Sequence, residues 1–175
     1  EPVALILKRA RVHRQAGRLE LAQASYWRGI SEHPGRPEAA RAASEIVKMH
    51  QAYGTPESVT KVCQTLVGFD PDSDVAAAAC RALSGSQAAW QGGEAAAMMD
   101  ILRGIAEKHP NTRAGAASGL DLGSLLVASG QCEEAEDVWS RIVDENVDED
   151  MSQEARYRLA DLRYTMGVSA VLGKD

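Results

Sequence analysis

Two stretches decide the fold: "GRLELAQASY" at Gly17–Tyr26 and "GQCEEAEDVW" at Gly130–Trp139. They share a leading Gly, an Ala five residues on and an aromatic nine residues on, and they stand 113 residues apart. A third of that interval is roughly 38, so further copies are expected near residues 54 and 92. There "YGTPESVTKVC" supplies Gly54, Val59 and Cys63, and "QGGEAAAMMDI" supplies Gly92, Ala97 and Ile101. Gly167 closes another helix-like run, so the glycines fall at 17, 54, 92, 130 and 167, in steps of 37, 38, 38 and 37. Pro34, Pro71 and Pro110 keep the same beat, with Val147 in the corresponding region of the fourth unit. A fixed period of this size is the mark of a solenoid, in which stacked units share a core that grows with their number.

The 175 residues are 45% hydrophobic but include only eight aromatics, so the core is built from Ala, Leu, Val and Ile. No alternating strand pattern of useful length occurs, and stretches such as "DVAAAACRAL" favour helix, so the chain reads as all-α. Charges or glycines break every apolar run before the roughly 18 residues a membrane span needs, so no direct membrane insertion is expected. The opening "EPVALILKRA" has neither an initiator Met nor a recognisable signal peptide and reads as a piece of a longer or processed chain. Cys63, Cys80 and Cys132 are odd in number and unrelated in spacing, which speaks against a disulfide framework or a zinc site. Cys63 fills the place of Tyr26 and Trp139 and reads as a buried thiol.

Within each unit a first helix should run to the glycine, whose left-handed conformation caps it, and a second should run from there to the proline. This predicts helices near 3–16, 19–32, 37–53, 56–68, 74–91, 94–108, 112–129, 132–146 and 150–166 in one domain. The repeats are then about 3–34, 37–71, 74–110 and 112–147, with one extra helix at 150–166. Small residues stand seven places before most glycines: Ala10, Gly85, Gly123 and Ala160, with Val47 the largest. Helices of a pair should approach closely there. On the second helices Ala22, Val59, Ala97 and Ala135 lead rows through Tyr26, Cys63, Ile101 and Trp139 to Ile30, Val67, Ile105 and Val143, one buried stripe per helix.

This pattern of first-helix small residue, turn glycine, second-helix small residue, aromatic four later and closing Pro resembles the tetratricopeptide repeat (TPR) family. The match runs from Leu5 to about Gly167 and is clearest in "ARVHRQAGRLELAQASYWRGISEHP". It departs in its period, about 34 in the family, in the lack of an aromatic at the first-helix Trp position, and in His13 and His50 near the turn, where the family has Tyr. The longer unit is most similar to divergent TPR-like arrays of bacterial envelope proteins, which implies a periplasmic or envelope-associated setting in preference to a cytoplasmic one. The resemblance also implies a right-handed superhelical solenoid of antiparallel helix pairs whose concave groove is lined by first helices.

Catalytic motifs are missing: no HExxH, GxxxxGK[ST] or GxSxG is found, and no Cys/His pair has nucleophile spacing. His13 and His50 share one repeat position, and His33 and His109 both precede a closing Pro, so the histidines follow the architecture. "QGGEA" lacks the preceding strand of a phosphate loop. The carboxylates between Glu133 and Glu154 face Arg141 alone in that segment, and "DENVDEDMSQE" lacks the central Gly of a calcium loop, so they read as a solvated face and helix N-terminal charge. No cofactor and no metal are expected.

Charge is distributed unevenly. Residues 1–55 carry nine Lys/Arg against five Asp/Glu, and residues 56–175 carry ten against twenty. Carried across from the family, the groove would be lined by Leu7, Arg11, Arg14 and Gln15, then Arg41, Ser44, Lys48 and Gln51. Beyond these come Ala82, Ser86, Ala89, Trp90, Leu120, Ser124 and Val127, and finally Tyr157, Asp161 and Tyr164. Such a surface, basic at its start and small and apolar in the middle, suits a protein partner, either a peptide segment or a folded domain, with acidic groups. The carboxylate clamp of chaperone-associated TPR domains is not reproduced, because Leu7 and Arg11 stand where its Lys and Asn would be. Net charge and the Ala/Ser-rich groove speak against nucleic acid. The expected function is a non-catalytic scaffold; the alternative is a regulatory or targeting domain of a larger enzyme or transporter. Tyr157 and Tyr164 on the last helix suggest apolar surface open to further repeats or to self-association.

Overall fold

A computed structural model describes residues 1–84 and 93–172, and every regular element among them is an α-helix. In chain order these are α1 (Val3–Gln15), α2 (Leu19–Glu32), α3 (Pro37–Tyr53), α4 (Pro56–Phe69), α5 (Asp74–Ser84), α6 (Gly93–Lys108), α7 (Arg113–Ala128), α8 (Cys132–Glu145) and α9 (Glu149–Leu172). The far end of the helix expected over 74–91, with Gly85, Ser86, Ala89, Trp90 and Gly92, lies outside the described residues.

Local chemistry sets the helix ends. Pro37 and Pro56 open α3 and α4 at the first helical position, where no N–H is needed. The Thr112 hydroxyl accepts from Gly115 N–H at the start of α7, and Asp148 accepts from Met151 N–H at the start of α9. Gly17 and Gly130 take the left-handed conformation expected of them, with φ of +71° and +78°. In the fourth unit, which lacks the closing Pro, Asn146 ends α8 with φ 44°, the left-handed role that Asn tolerates best after Gly. Gly54 departs from expectation at φ −102° and ψ −169°, extended backbone that leads directly into the Thr55–Ser58 capping box of α4. Gly167 does not end α9, which continues to Leu172; an interior glycine costs a helix only about 1 kcal/mol and no Pro follows to stop it.

The main contacts all join helices one or two places apart in the chain: α1 to α2, α2 to α3, α3 to α4 and α5, α4 to α5, α5 to α7, α6 to α7, α7 to α8, and α8 to α9, with smaller ones from α1 to α3 and from α7 to α9. Arg113 bolts successive units together, its guanidinium pairing with Asp74 at 2.6 Å and with Asp148 at 2.9 Å. Beside it, Ala114 N–H donates to Pro71 C=O at 2.9 Å.

The core follows the repeat with three shifts. Ala22, Tyr26 and Ile30 on α2, Val59, Cys63 and Val67 on α4, and Ala135 and Trp139 on α8 are buried as expected, but Val143, expected to end the α8 row, is only partly buried and Ile142 takes the core position. On α6, however, Ala97 is exposed and Ile101 only partly buried, while Met98, Leu102 and Ile105 fill the core. The doubled glycine explains this: counted from Gly93 instead of Gly92, the positions five and nine residues on become Met98 and Leu102. On α9, Ala160 is exposed and borders a shallow concavity with Val143 of α8, whereas its counterparts Ala10, Val47 and Gly123 are buried. The approach at Gly123 is close, since a Cβ there would lie 2.3 Å from Trp139 Nε1.

Candidate functional site

The first helices carry most of the residues singled out above, and the structure divides them into three groups. Ser44 and Gln51 face the neighbouring helix: Ser44 Oγ lies 3.2 Å from Ala78 C=O, and Gln51 Nε2 donates to Leu83 C=O at 2.8 Å. They stitch α3 to α5, and side chains bound to backbone carbonyls reach a ligand only by breaking those bonds. Leu7, Ala82 and Leu120 are in the core, at 6%, 6% and 1% exposure, so they do not line an open groove. Leu7 packs against Gly29, where a Cβ would touch it at 3.4 Å.

The third group is open. Arg11, Gln15, Arg41 and Lys48 are exposed, and Arg11, Arg41 and Lys48 make no ion pair among the described residues. Arg14 is half-buried and pairs with Glu45 of α3. Tyr157 and Tyr164 stand out from α9 at 75% and 73% exposure. Trp90 lies outside the described residues.

Arg14, Gln15 and Lys48 come together in an open concavity of about 510 Å³ between α1 and α3, completed by Met49, Ala52 and Tyr53. A second concavity of about 720 Å³ opens between α7, α8 and α9, where Tyr157 meets Val127, Trp139, Asp161, Leu162 and Met166. The two are the same place in the repeat. Arg14 and Val127 each stand three residues before their turn glycine, at 17 and 130. Lys48, Met49, Ala52 and Tyr53 stand six, five, two and one before Gly54, as Asp161, Leu162, Thr165 and Met166 do before Gly167. Sequence reasoning missed Met49, Tyr53, Leu162 and Met166, though counting back from the glycines finds all four.

Their chemistry differs. The first concavity presents two cations, Arg14 and Lys48, beside an aromatic, Tyr53, that is 69% exposed. In the second the guanidinium of Arg158 is already occupied: it donates to Leu120 C=O at 2.7 Å, reaches Ser124 Oγ, pairs with Glu154 at 2.5 Å and lies 5.9 Å from the Trp139 ring centre. Trp139 Nε1–H donates to the same Leu120 carbonyl at 3.1 Å. What remains open there is apolar surface from Val127 and Met166 with the exposed Tyr157 ring, over the buried Leu162. A third concavity, about 360 Å³, lies between the second helices α4 and α6 and is lined by Val67, Ile101, Ile105 and Lys108 among others.

Two of the three cysteines and one histidine sit in buried surroundings. Burial pushes the Cys63 thiol far up and the Cys80 thiol to about 11, so neither supplies a thiolate near neutral pH. His50 Nδ1 lies 3.1 Å from Ser58 Oγ at the α3–α4 turn, its Nε2 is buried without a partner, and burial lowers its pKa. No protein-family model, curated protein or solved structure matches this chain.

Proposed function

We propose that the chain is a TPR-like solenoid of four helix pairs and an extra helix that acts as a non-catalytic protein–protein interaction scaffold. A partner segment or domain lies along the first-helix face, entering at the basic concavity of α1 and α3 and resting on the apolar one of α7, α8 and α9. The observation that carries this reading is that both concavities are formed by equivalent repeat positions, as expected of one continuous surface repeated along a stack. The accessible area supports the elongated shape: 9661 Å², against about 8,300 Å² for a compact monomer of this mass. Preorganised surface of this kind binds through placed contacts without catalytic groups.

The test is photo-crosslinking in cells of the source organism, with a benzophenone amino acid at Tyr53, at Tyr157 or, as a control on a second helix, at Phe69. Phe69 is itself 65% exposed, so the control is equally open to encounter. The same partner captured from Tyr53 and Tyr157 but not from Phe69 is the expected result. Capture from Phe69 alone, or different partners at the two first-helix sites, would refute a shared surface.

A further inference from the structure

Three features lie at or beside the concavity between α1 and α3, which Arg14 and Lys48 line. Arg14 is held by Glu45, with 36% and 23% of the two side chains exposed, so the pair is partly withdrawn from solvent. Arg11, one turn before Arg14, and Lys48, one turn after Glu45, are exposed cations with no ion pair among the described residues. Tyr26, only 1% exposed, buries its hydroxyl with no hydrogen-bond partner. Burial first, and then the charge of Glu45, hold that hydroxyl above its ordinary pKa, with Arg14 and Arg11 acting in the opposite sense, so it lies within electrostatic reach of the same cluster. A buried donor left unfilled is costly, and its retention calls for a state in which it is filled.

We propose that this concavity is a carboxylate subsite for an acidic polypeptide segment, in which an incoming Asp or Glu side chain takes Arg14 from Glu45. The inference rests on the scaffold reading above and names the chemistry of its partner. Arg14 offers a planar fork that fits a carboxylate with two parallel hydrogen bonds. Arg11 and Lys48 supply the attraction that brings the segment in. Released from Arg14, Glu45 accepts the O–H of Tyr26, so that neither group is left unpaired. Tyr53 offers an exposed ring to the apolar part of the segment. Glu45 is therefore an internal competitor, holding Arg14 in place and raising the threshold against ligands that lack negative charge.

The experiment is a titration of the ¹⁵N-labelled chain at low ionic strength with N-acetyl-tetraglutamate amide, with the tetraglutamine analogue and with inorganic phosphate. Amide shifts concentrated at residues 11–15 and 45–53 are expected with tetraglutamate only. Glu45→Gln should lower Kd about 1.5-fold to fivefold, the worth of one part-exposed ion pair, and Lys48→Glu should raise it. Tyr26→Phe should weaken binding while leaving the thermal midpoint unchanged or higher, a split that a purely structural tyrosine would not give. Unchanged or weaker binding by Glu45→Gln overturns the proposal, as do equal shifts from tetraglutamine or phosphate, or no localised shift at all. Shifts confined to α7–α9 would remove this subsite and leave the scaffold reading standing, whereas the crosslinking result above bears on the scaffold itself.

Discussion

Replacing Gly123 by alanine tests the helix-pair geometry more sharply than any larger substitution. A Cβ at this position would lie 2.3 Å from Trp139 Nε1, 2.4 Å from Cε2 and 2.9 Å from Cδ1, so the indole must move by about 1 Å to restore ordinary contact. It is not free to do so, because its N–H is bound to Leu120 C=O at 3.1 Å and the Arg158 guanidinium lies 5.9 Å from its ring centre. Overpacking of this kind costs about 1–3 kcal/mol, and straining the buried hydrogen bond adds about 0.5–1.5 kcal/mol. Against this, alanine gains about 1 kcal/mol of helix propensity over glycine. The expected net loss is about 1–3 kcal/mol, which for a chain of this size lowers Tm by about 3–10 °C. The matched control is Gly104→Ala on α6, where a Cβ meets nothing within 4 Å and propensity alone should raise Tm by a few degrees. Circular dichroism at 222 nm gives both midpoints, and the Trp139 indole N–H resonance reports the displaced ring. A Gly123→Ala midpoint that rises as the control does would refute the close approach of α7 and α8.

Three further outcomes can be checked on the same samples. His50 has its folded pKa below the unfolded value, so its contribution is complete above about pH 6.5 and is lost as pH falls toward the folded pKa. Urea midpoints at pH 7.5 and pH 5 should therefore differ less for His50→Gln than for the parent chain, and equal differences would remove His50 as the cause. Asn146→Ala forces a side chain with no compensating polarity into φ 44° and should cost about 1–2 kcal/mol, while Asn146→Gly should be neutral or stabilising by thermal melting. Ellman's reagent should modify Cys132 in the folded chain and reach Cys63 and Cys80 only on unfolding, as their burial requires.

What the sequence disclosed and what it concealed divide along physical lines. Helix ends were legible because Pro, Gly and capping side chains act locally: Pro34, Pro71 and Pro110 each stand two residues past the end of a helix. The rows on α2 and α4 and the pairing of Gly123 with Trp139 were legible because the period fixes which positions face each other. The offset on α6 was concealed by a choice between two adjacent glycines, Gly92 and Gly93, that shape alone can settle. For the candidate surface, exposure of Arg11, Arg41 and Lys48 could be anticipated from the period. The engagement of Ser44 and Gln51 by α5 carbonyls could not, because it depends on how closely α3 and α5 approach, and the residues between them carry no mark of that distance. Tyr53 and Met166 were legible by the same arithmetic that found the repeat, applied to the positions just before each glycine.

The charge asymmetry carries through to the ion pairs. Residues 133–154 crowd their carboxylates around Arg141, yet other helices supply cations, Arg103 to Glu134 at 2.8 Å, Arg163 to Glu136 at 2.7 Å, Arg113 to Asp148 at 2.9 Å and Arg81 to Glu154, and Arg158 pairs with Glu154 one turn away on α9 itself. Exposed pairs of this sort contribute about 0–1 kcal/mol each, so their larger effect is to commit the arginines of the second half to neighbouring helices. In the first half the carboxylates are the ones committed: Glu1 to Arg9 and Arg28, Glu32 to Arg28, and Glu45 to Arg14. Lys8, Arg11, Arg41 and Lys48 on first helices, with Arg18 and Arg36 in the turns, make no ion pair among the described residues, against Glu20 and Glu38 on the acidic side. On the proposed reading, an acidic segment would meet uncancelled positive charge at α1 and α3 and uncancelled negative charge toward α8. That gradient would orient the segment before contact, over the roughly 8–10 Å that physiological salt allows, and apolar contact at Tyr53 and Tyr157 would then decide whether it stays.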